Sequence, residues 1–186
     1  MRLKGEQNEK AWREFHDIYG RLIFSYSLHF DISYAEAEDI VQEVCIKVFR
    51  QIPKFDYSPA KGRFRGWLKT ITRNTVIDYL RRKQTRQKTT KEFRQHMEQV
   101  LVDEAAADDE IWQKEWEKAL CETAMERVRT RVGEETFRIF QRYVLDRDSA
   151  QDVANETTLD ANAIYAVKHR VLNYLRDEVK KIRNSE

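Results

Sequence analysis

The sequence predicts an all-α protein of two small helical domains joined by a flexible linker, and three observations predict it. Glycine (5) and proline (2) are scarce in 186 residues, whereas sheet-rich folds use many of both in their turns. Apolar residues recur at spacings of three and four, and no stretch alternates convincingly with period two. That periodicity lapses once, between Gln84 and Ala107, which separates two helical sets. The composition supports real cores: 41% of residues are hydrophobic and 11% aromatic.

The first helix is expected from Glu6 to Leu28, with Trp12, Phe15, Tyr19, Leu22, Ile23, Tyr26 and Phe30 on one stripe. The second follows Asp31 and Ser33 and runs to Gln51, burying Ile40, Val41, Val44, Cys45, Val48 and Phe49; Pro53 stops it. After a loop from Phe55 to Gly62, the third spans Arg63 to Lys83, with Phe64, Trp67, Leu68, Ile71, Ile77 and Leu80 apolar. These three helices close one core, giving a first domain over 1–85. The polar run after Gln84 reads as a mobile linker over 86–107, with at most a transient helix near Phe93–Val102. The second domain, 108–186, opens on Asp108, Asp109 and Glu110, which suit a helix N-terminus. Trp112, Trp116, Leu120, Val128 and Val132 continue that helix and Gly133 closes it. Helices over Thr136–Leu145, Ser149–Glu156 and Asp160–Lys181 follow.

Several function classes are excluded. No apolar run approaches the ~20 residues of a membrane span, so no membrane insertion is expected. The first ten residues lack the apolar core of a secretion signal. Cys45 and Cys121 make neither a disulfide framework nor a metal motif; both are expected as reduced core thiols in a cytoplasmic protein. No phosphate-binding glycine loop and no HExxH pair occurs, so neither a cofactor nor a metal nor a catalytic constellation is expected.

The net charge of +2 hides a strong local pattern. Residues 1–59 carry −2, residues 60–94 carry +10, residues 95–126 carry −8 and residues 127–186 carry +2. A +10 block in 35 residues marks a nucleic-acid contact. The end of the chain adds a helix-turn-helix pattern. Ser149 caps a short helix with Asp152 three residues on, and Ala154 supplies the small residue that a tight crossing needs. Ile164, Val167, Val171 and Leu175 face inward from the second helix, leaving Asn162, Tyr165, Lys168, His169 and Arg170 outward for a major groove. Thr158 stands where such turns usually hold glycine, so it must accept strain or a different turn.

These pieces resemble the extracytoplasmic-function (ECF) sigma factors of the sigma-70 family. Ala37-Glu38-Asp39-Ile40-Val41-Gln42-Glu43-Val44 through Phe49 is similar to region 2.2. Phe64-Arg65-Gly66-Trp67-Leu68 through Asn74, with Ile77-Asp78-Tyr79-Leu80-Arg81-Arg82, is similar to regions 2.3 and 2.4. Ser149–Arg176 is similar to region 4.2. The resemblance covers the chain except the linker, with no added domain at either end. It implies a sigma region 2 three-helix core and a sigma region 4 helix-turn-helix bundle. It implies as partners core RNA polymerase, through the β′ clamp helices and the β subunit, and promoter DNA; an anti-sigma factor is a further implied partner that no residue here marks.

The resemblance assigns roles to residues. Asp39, Gln42, Glu43 and Ile46, at i, i+3, i+4 and i+7, form the face that would dock on polymerase. Lys61, Arg63, Arg65, Lys69, Arg73, Arg81, Arg82 and Lys83 supply charge along a single strand at the −10 element, with Asn74 as a DNA contact. Phe55 and Tyr57 are walls for a flipped base. Trp67 reads better as core than as a stacking platform. At the −35 element, Asn162, Tyr165, Lys168 and His169 lie nearest the bases, and Arg170 either meets phosphate or packs along its helix. The acidic stretch is either a solvated linker and helix start, a nucleic-acid mimic on the polymerase, or a segment that folds back on the basic block. Other readings are a free-standing helix-turn-helix transcriptional regulator and a helical scaffold or antagonist; an enzyme has no support.

Overall fold

The computed structural model describes residues 9–55, 64–86 and 91–184, with side chains omitted at 84, 86 and 91–107. All regular elements among them are helical. The described residues divide into two compact units, one up to Ala119 and one from Leu120 onward.

In the first unit, α1 (Glu9–Phe15), a π-helical turn (His16–Gly20) and α2 (Arg21–Leu28) run without a break. After a turn with Asp31 at φ 53°, α3 (Tyr34–Gln51) begins at a reciprocal cap. Ser33 Oγ accepts from the Glu36 amide at 3.4 Å, and the Ser33 amide donates to Glu36 Oε2 at 2.8 Å, so two donors at the helix start are satisfied. The 3₁₀ turn Ile52–Lys54, holding Pro53, ends it. α4 (Phe64–Arg86) then packs on α3 and α2. Phe15, Tyr19, Leu22, Ile23, Tyr26, Ile40, Val44, Val48, Phe64 and Leu68 are buried between these helices, as their spacing predicts.

Four features depart from the sequence reading. Phe49 is 55% exposed: it stands one position past buried Val48, about 100° around the helix, and rests on Trp12 at 5.2 Å. The core face of α4 includes Thr72 and Thr75, whose hydroxyls donate to the carbonyls of Leu68 and Ile71 and so enter the interior satisfied. The stretch expected as a linker is helical from Lys91, within α5 (Lys91–Val132). Moreover Asp108–Ala119, expected in the second domain, packs in the first unit, because Trp112 and Trp116 find aromatic partners on α2 and the adjoining π turn.

The second unit holds the rest of α5, α6 (Glu134–Phe140), a π-helical turn (Gln141–Leu145), α7 (Ala150–Asn155) and α8 (Ala161–Asn184). Gly133 separates α5 from α6 at φ 83°, ψ 158°, backbone that side chains other than hydrogen rarely adopt. Arg129 spans this break, its Nε donating to Glu134 Oε2 at 2.7 Å, and the Arg–Glu hydrogen bonds hold the Glu134 carboxyl below its ordinary range. Val128, Phe137, Phe140, Val153, Ile164, Val167 and Val171 form the core. Ile164 is fully buried in the crossing, where burying a side chain of this size contributes about 1.5–3 kcal/mol. The Ser149 cap forms, its Oγ accepting from the Asp152 amide at 3.1 Å. Thr158 takes the second of its two options: Asp31 and Arg147 alone among described non-glycine residues have positive φ, so the turn is of a different kind. Thr157 shapes it, its hydroxyl donating to the Val153 carbonyl and accepting from the Leu159 amide. Asp160 then caps α8, its Oδ1 accepting from the Ala163 amide at 2.7 Å.

Candidate nucleic-acid interface

Residues three and four apart share a helix face, so Asp39, Gln42, Glu43 and Ile46 form one strip along α3. Asp39, Gln42 and Ile46 are exposed, and Phe49 extends the strip with a second exposed apolar side chain. Glu43 is half-buried and engaged. Arg82 Nη2 donates to its Oε2 at 2.7 Å and Lys47 Nζ lies 3.0 Å from Oε1. Burial works against its charge, yet these two cations still hold the carboxyl below its ordinary range. Lys47 also donates to Thr75 Oγ1 at 3.0 Å, so α3 and α4 are laced by polar bonds. Glu43 and Arg82, assigned by sequence to two different partners, are thus each other's partner here.

On α4, Arg65, Lys69 and Arg73 stand at i, i+4 and i+8 and share a face. Acidic and aromatic groups from the α5 segment cover that face. Lys69 Nζ lies 2.6 Å from Asp108 Oδ2 and also pairs with Asp109; Arg73 Nε is 3.7 Å from Asp108 Oδ2. The hydrogen bond and charge of Lys69 hold Asp109 below the ordinary aspartate range. Arg65 Nη1 donates to Gln113 Oε1 at 3.2 Å. Asn74 and Arg81 are exposed on the same helix. Phe55 is half-buried, 4.5 Å from the half-buried Trp67 ring, so the two form one aromatic wall. Tyr57, Lys61 and Arg63 lie outside the described residues.

In the second unit, Asn162, Tyr165, His169 and Arg170 are exposed along α8, and Lys168 is half-buried. Tyr143 in the π turn supports two of them: its ring meets Tyr165 edge-on at 5.7 Å and lies 5.5 Å under the Lys168 ammonium. Sequence reasoning missed Tyr143, because its place in a π turn removes it from any 3.6-residue stripe. The cysteines also differ from expectation. Cys45 is half-buried, and burial raises its thiol pKa, but Cys121 is exposed on the outer face of α5.

Residues 15–86 match the family model of sigma-70 region 2. Over that stretch, less than half of the chain, the sequence is similar to sigma-70 region 2. Every described residue assigned to polymerase or to the −10 strand falls inside that region; the helix-turn-helix lies beyond it. Over 73 residues the chain is 33% identical to the ECF RNA polymerase sigma factor SigE of Mycolicibacterium smegmatis, a match covering 39% of this chain and 27% of the relative's length. Among the described residues, no helix is long and apolar enough to cross a membrane.

Proposed function

We propose that the chain is an RNA polymerase sigma factor of ECF type, a non-enzymatic cytoplasmic subunit that directs promoter-specific initiation. The observation that carries this is the match to sigma-70 region 2 over residues 15–86, supported by a helix-turn-helix whose second helix leaves Asn162, Tyr165 and His169 exposed. In this reading residues 1–85 bind core polymerase and open the −10 element, and the helix-turn-helix within 108–186 reads the −35 element. Asp39, Gln42, Glu43 and Ile46 dock on the β′ clamp helices; exposed apolar Ile46 and Phe49 give that contact a small apolar centre with a polar rim. Arg65, Lys69, Arg73, Arg81 and Arg82 follow the phosphates of a single strand, Asn74 meets a base, and Phe55 with Tyr57 walls a flipped base. Asn162, Tyr165, Lys168 and His169 reach base edges of the duplex. Arg170 meets phosphate, which its exposure favours over packing along the helix.

Run-off transcription with the chain's own core polymerase on genomic fragments tests this. Discrete transcripts that require the chain are expected. Core binding without any transcript would make it an antagonist, and palindrome binding as a dimer without polymerase would make it a free-standing regulator; either result overturns the proposal.

A further inference from the structure

We propose that Asp108–Ala119 of α5 is an intramolecular stand-in for the promoter single strand, closing the basic face of α4 until DNA or polymerase displaces it. The inference rests on the reading of that face as the −10 site. A strand-binding face offers cations for phosphates and aromatic rings for bases. The segment presents the matching chemistry. Asp108 and Asp109 set carboxylates on Lys69 and Arg73, where phosphates would lie. The Trp116 indole stacks on Tyr19 at 5.6 Å and 13° and lies 4.8 Å from the Arg65 guanidinium, as a base would. Tyr26 donates its hydroxyl to Asp108, and its ring meets Trp112 edge-on at 5.0 Å. With its side chain only 15% exposed, Lys69 cannot reach a strand while the segment is seated.

A second observation separates a removable strap from a permanent part of the core. Trp112 Nε1 and Glu115 Oε2 are both buried without a hydrogen-bond partner. Buried polar groups of a permanent core are nearly always paired, and leaving one unpaired is costly. Undocking would return both to water, which offsets part of what burying Trp112 and Trp116 and pairing Glu115 Oε1 with His29 contribute to the seated state. The charge pattern agrees: the −8 stretch directly follows the +10 block and nearly cancels it within one chain.

The test uses the full chain and a fluorescein-labelled single-stranded DNA oligonucleotide of mixed sequence, followed by anisotropy. The pair Asp108→Asn with Asp109→Asn keeps side-chain shape and should raise affinity about tenfold, as loss of the competing charges requires. A charge-matched pair on exposed positions, Glu110→Gln with Glu126→Gln, should change it less than about twofold. Equal gains in both pairs, or none in the first, would overturn the strap. Adding Lys69→Ala with Arg73→Ala to the Asn pair should abolish the gain; if it leaves binding untouched, the −10 reading of the face fails along with the strap. Hydrogen exchange of the unmodified chain needs no variant to fold. Amides of 108–119 should exchange faster when the oligonucleotide is bound, and unchanged or slower exchange would overturn the proposal.

Discussion

Glu36 shows how one side chain joins two elements. It caps α3 through Ser33 and reaches α4 through Tyr79, whose hydroxyl donates at 2.9 Å, and Lys83, whose ammonium lies 2.7 Å away. Lys83 is the largest influence on its titration; burial opposes it, the Ser33 and Tyr79 donors assist, and the pKa falls to about 2 from an ordinary 4.5. A carboxyl whose pKa is lower in the folded chain than in the unfolded one stabilises the fold above the unfolded value. That contribution fades as pH drops from about 4.5 toward about 2. Glu36→Gln should therefore cost about 1 kcal/mol at pH 7, a figure reduced for solvent screening of a partly exposed pair. Urea unfolding at several pH values should show the gap to the unmodified chain closing across that acid window. An equal gap at pH 7 and pH 2.5 would mean that the carboxylate's charge is not what matters. Of this arrangement only the helix start after Ser33 was legible, because an apolar stripe of helical spacing follows it. The Lys83 and Tyr79 half was not, because pairs 43 or more positions apart leave no periodic trace.

At the scale of elements, the break between α5 and α6 depends on Gly133. A Cβ there would meet nothing within 4 Å, so crowding is not the obstacle; the backbone angles are. Gly133→Ala should destabilise the second unit by about 1–3 kcal/mol through strain alone. Thermal unfolding checks this, and a loss below a few tenths of a kcal/mol would show that the chain relaxes into an ordinary helical link. The glycine was legible as a stop because an apolar stripe ends at Val132 and restarts at Phe137. Helix-turn-helix elements were equally legible, since Ser149, Ala154 and Ile164 each fit a fixed step of that motif. The extent of α5 from Lys91 was not legible because that polar sequence carries no stripe, yet a helix that continues into a well-packed half needs none of its own. Trp112 and Trp116 were correctly placed on a helix face, but periodicity says that a face is buried, not against which partner. Only contacts showed that this face belongs with α2 and the preceding π turn.

For the whole molecule, the proposed division of labour predicts how salt acts on DNA binding. Each phosphate met by a cation releases counterions, so the slope of log affinity against log salt counts contacts: about 0.9 per phosphate on duplex and about 0.7 on single strands. Arg81 is exposed on α4 in the first unit and Arg170 is exposed on α8 in the second. Under the proposed function, Arg81 serves a single strand and Arg170 serves a duplex. Arg81→Ala should thus lower the slope on single-stranded DNA by about 0.7 and leave the duplex slope unchanged. Arg170→Ala should lower the duplex slope by about 0.9 and leave the single-strand slope unchanged. Anisotropy titrations over a range of salt with both DNA forms measure all four values. If either variant lowers both slopes, the two units do not divide the promoter between them, and the chain acts as one undifferentiated cationic surface. If Arg170→Ala changes neither slope, the guanidinium packs along its helix and base contacts carry the −35 half. The crossed result, one slope for each variant, is the one that the proposed function requires of a +10 block and a separate DNA-reading helix on a chain of net charge +2.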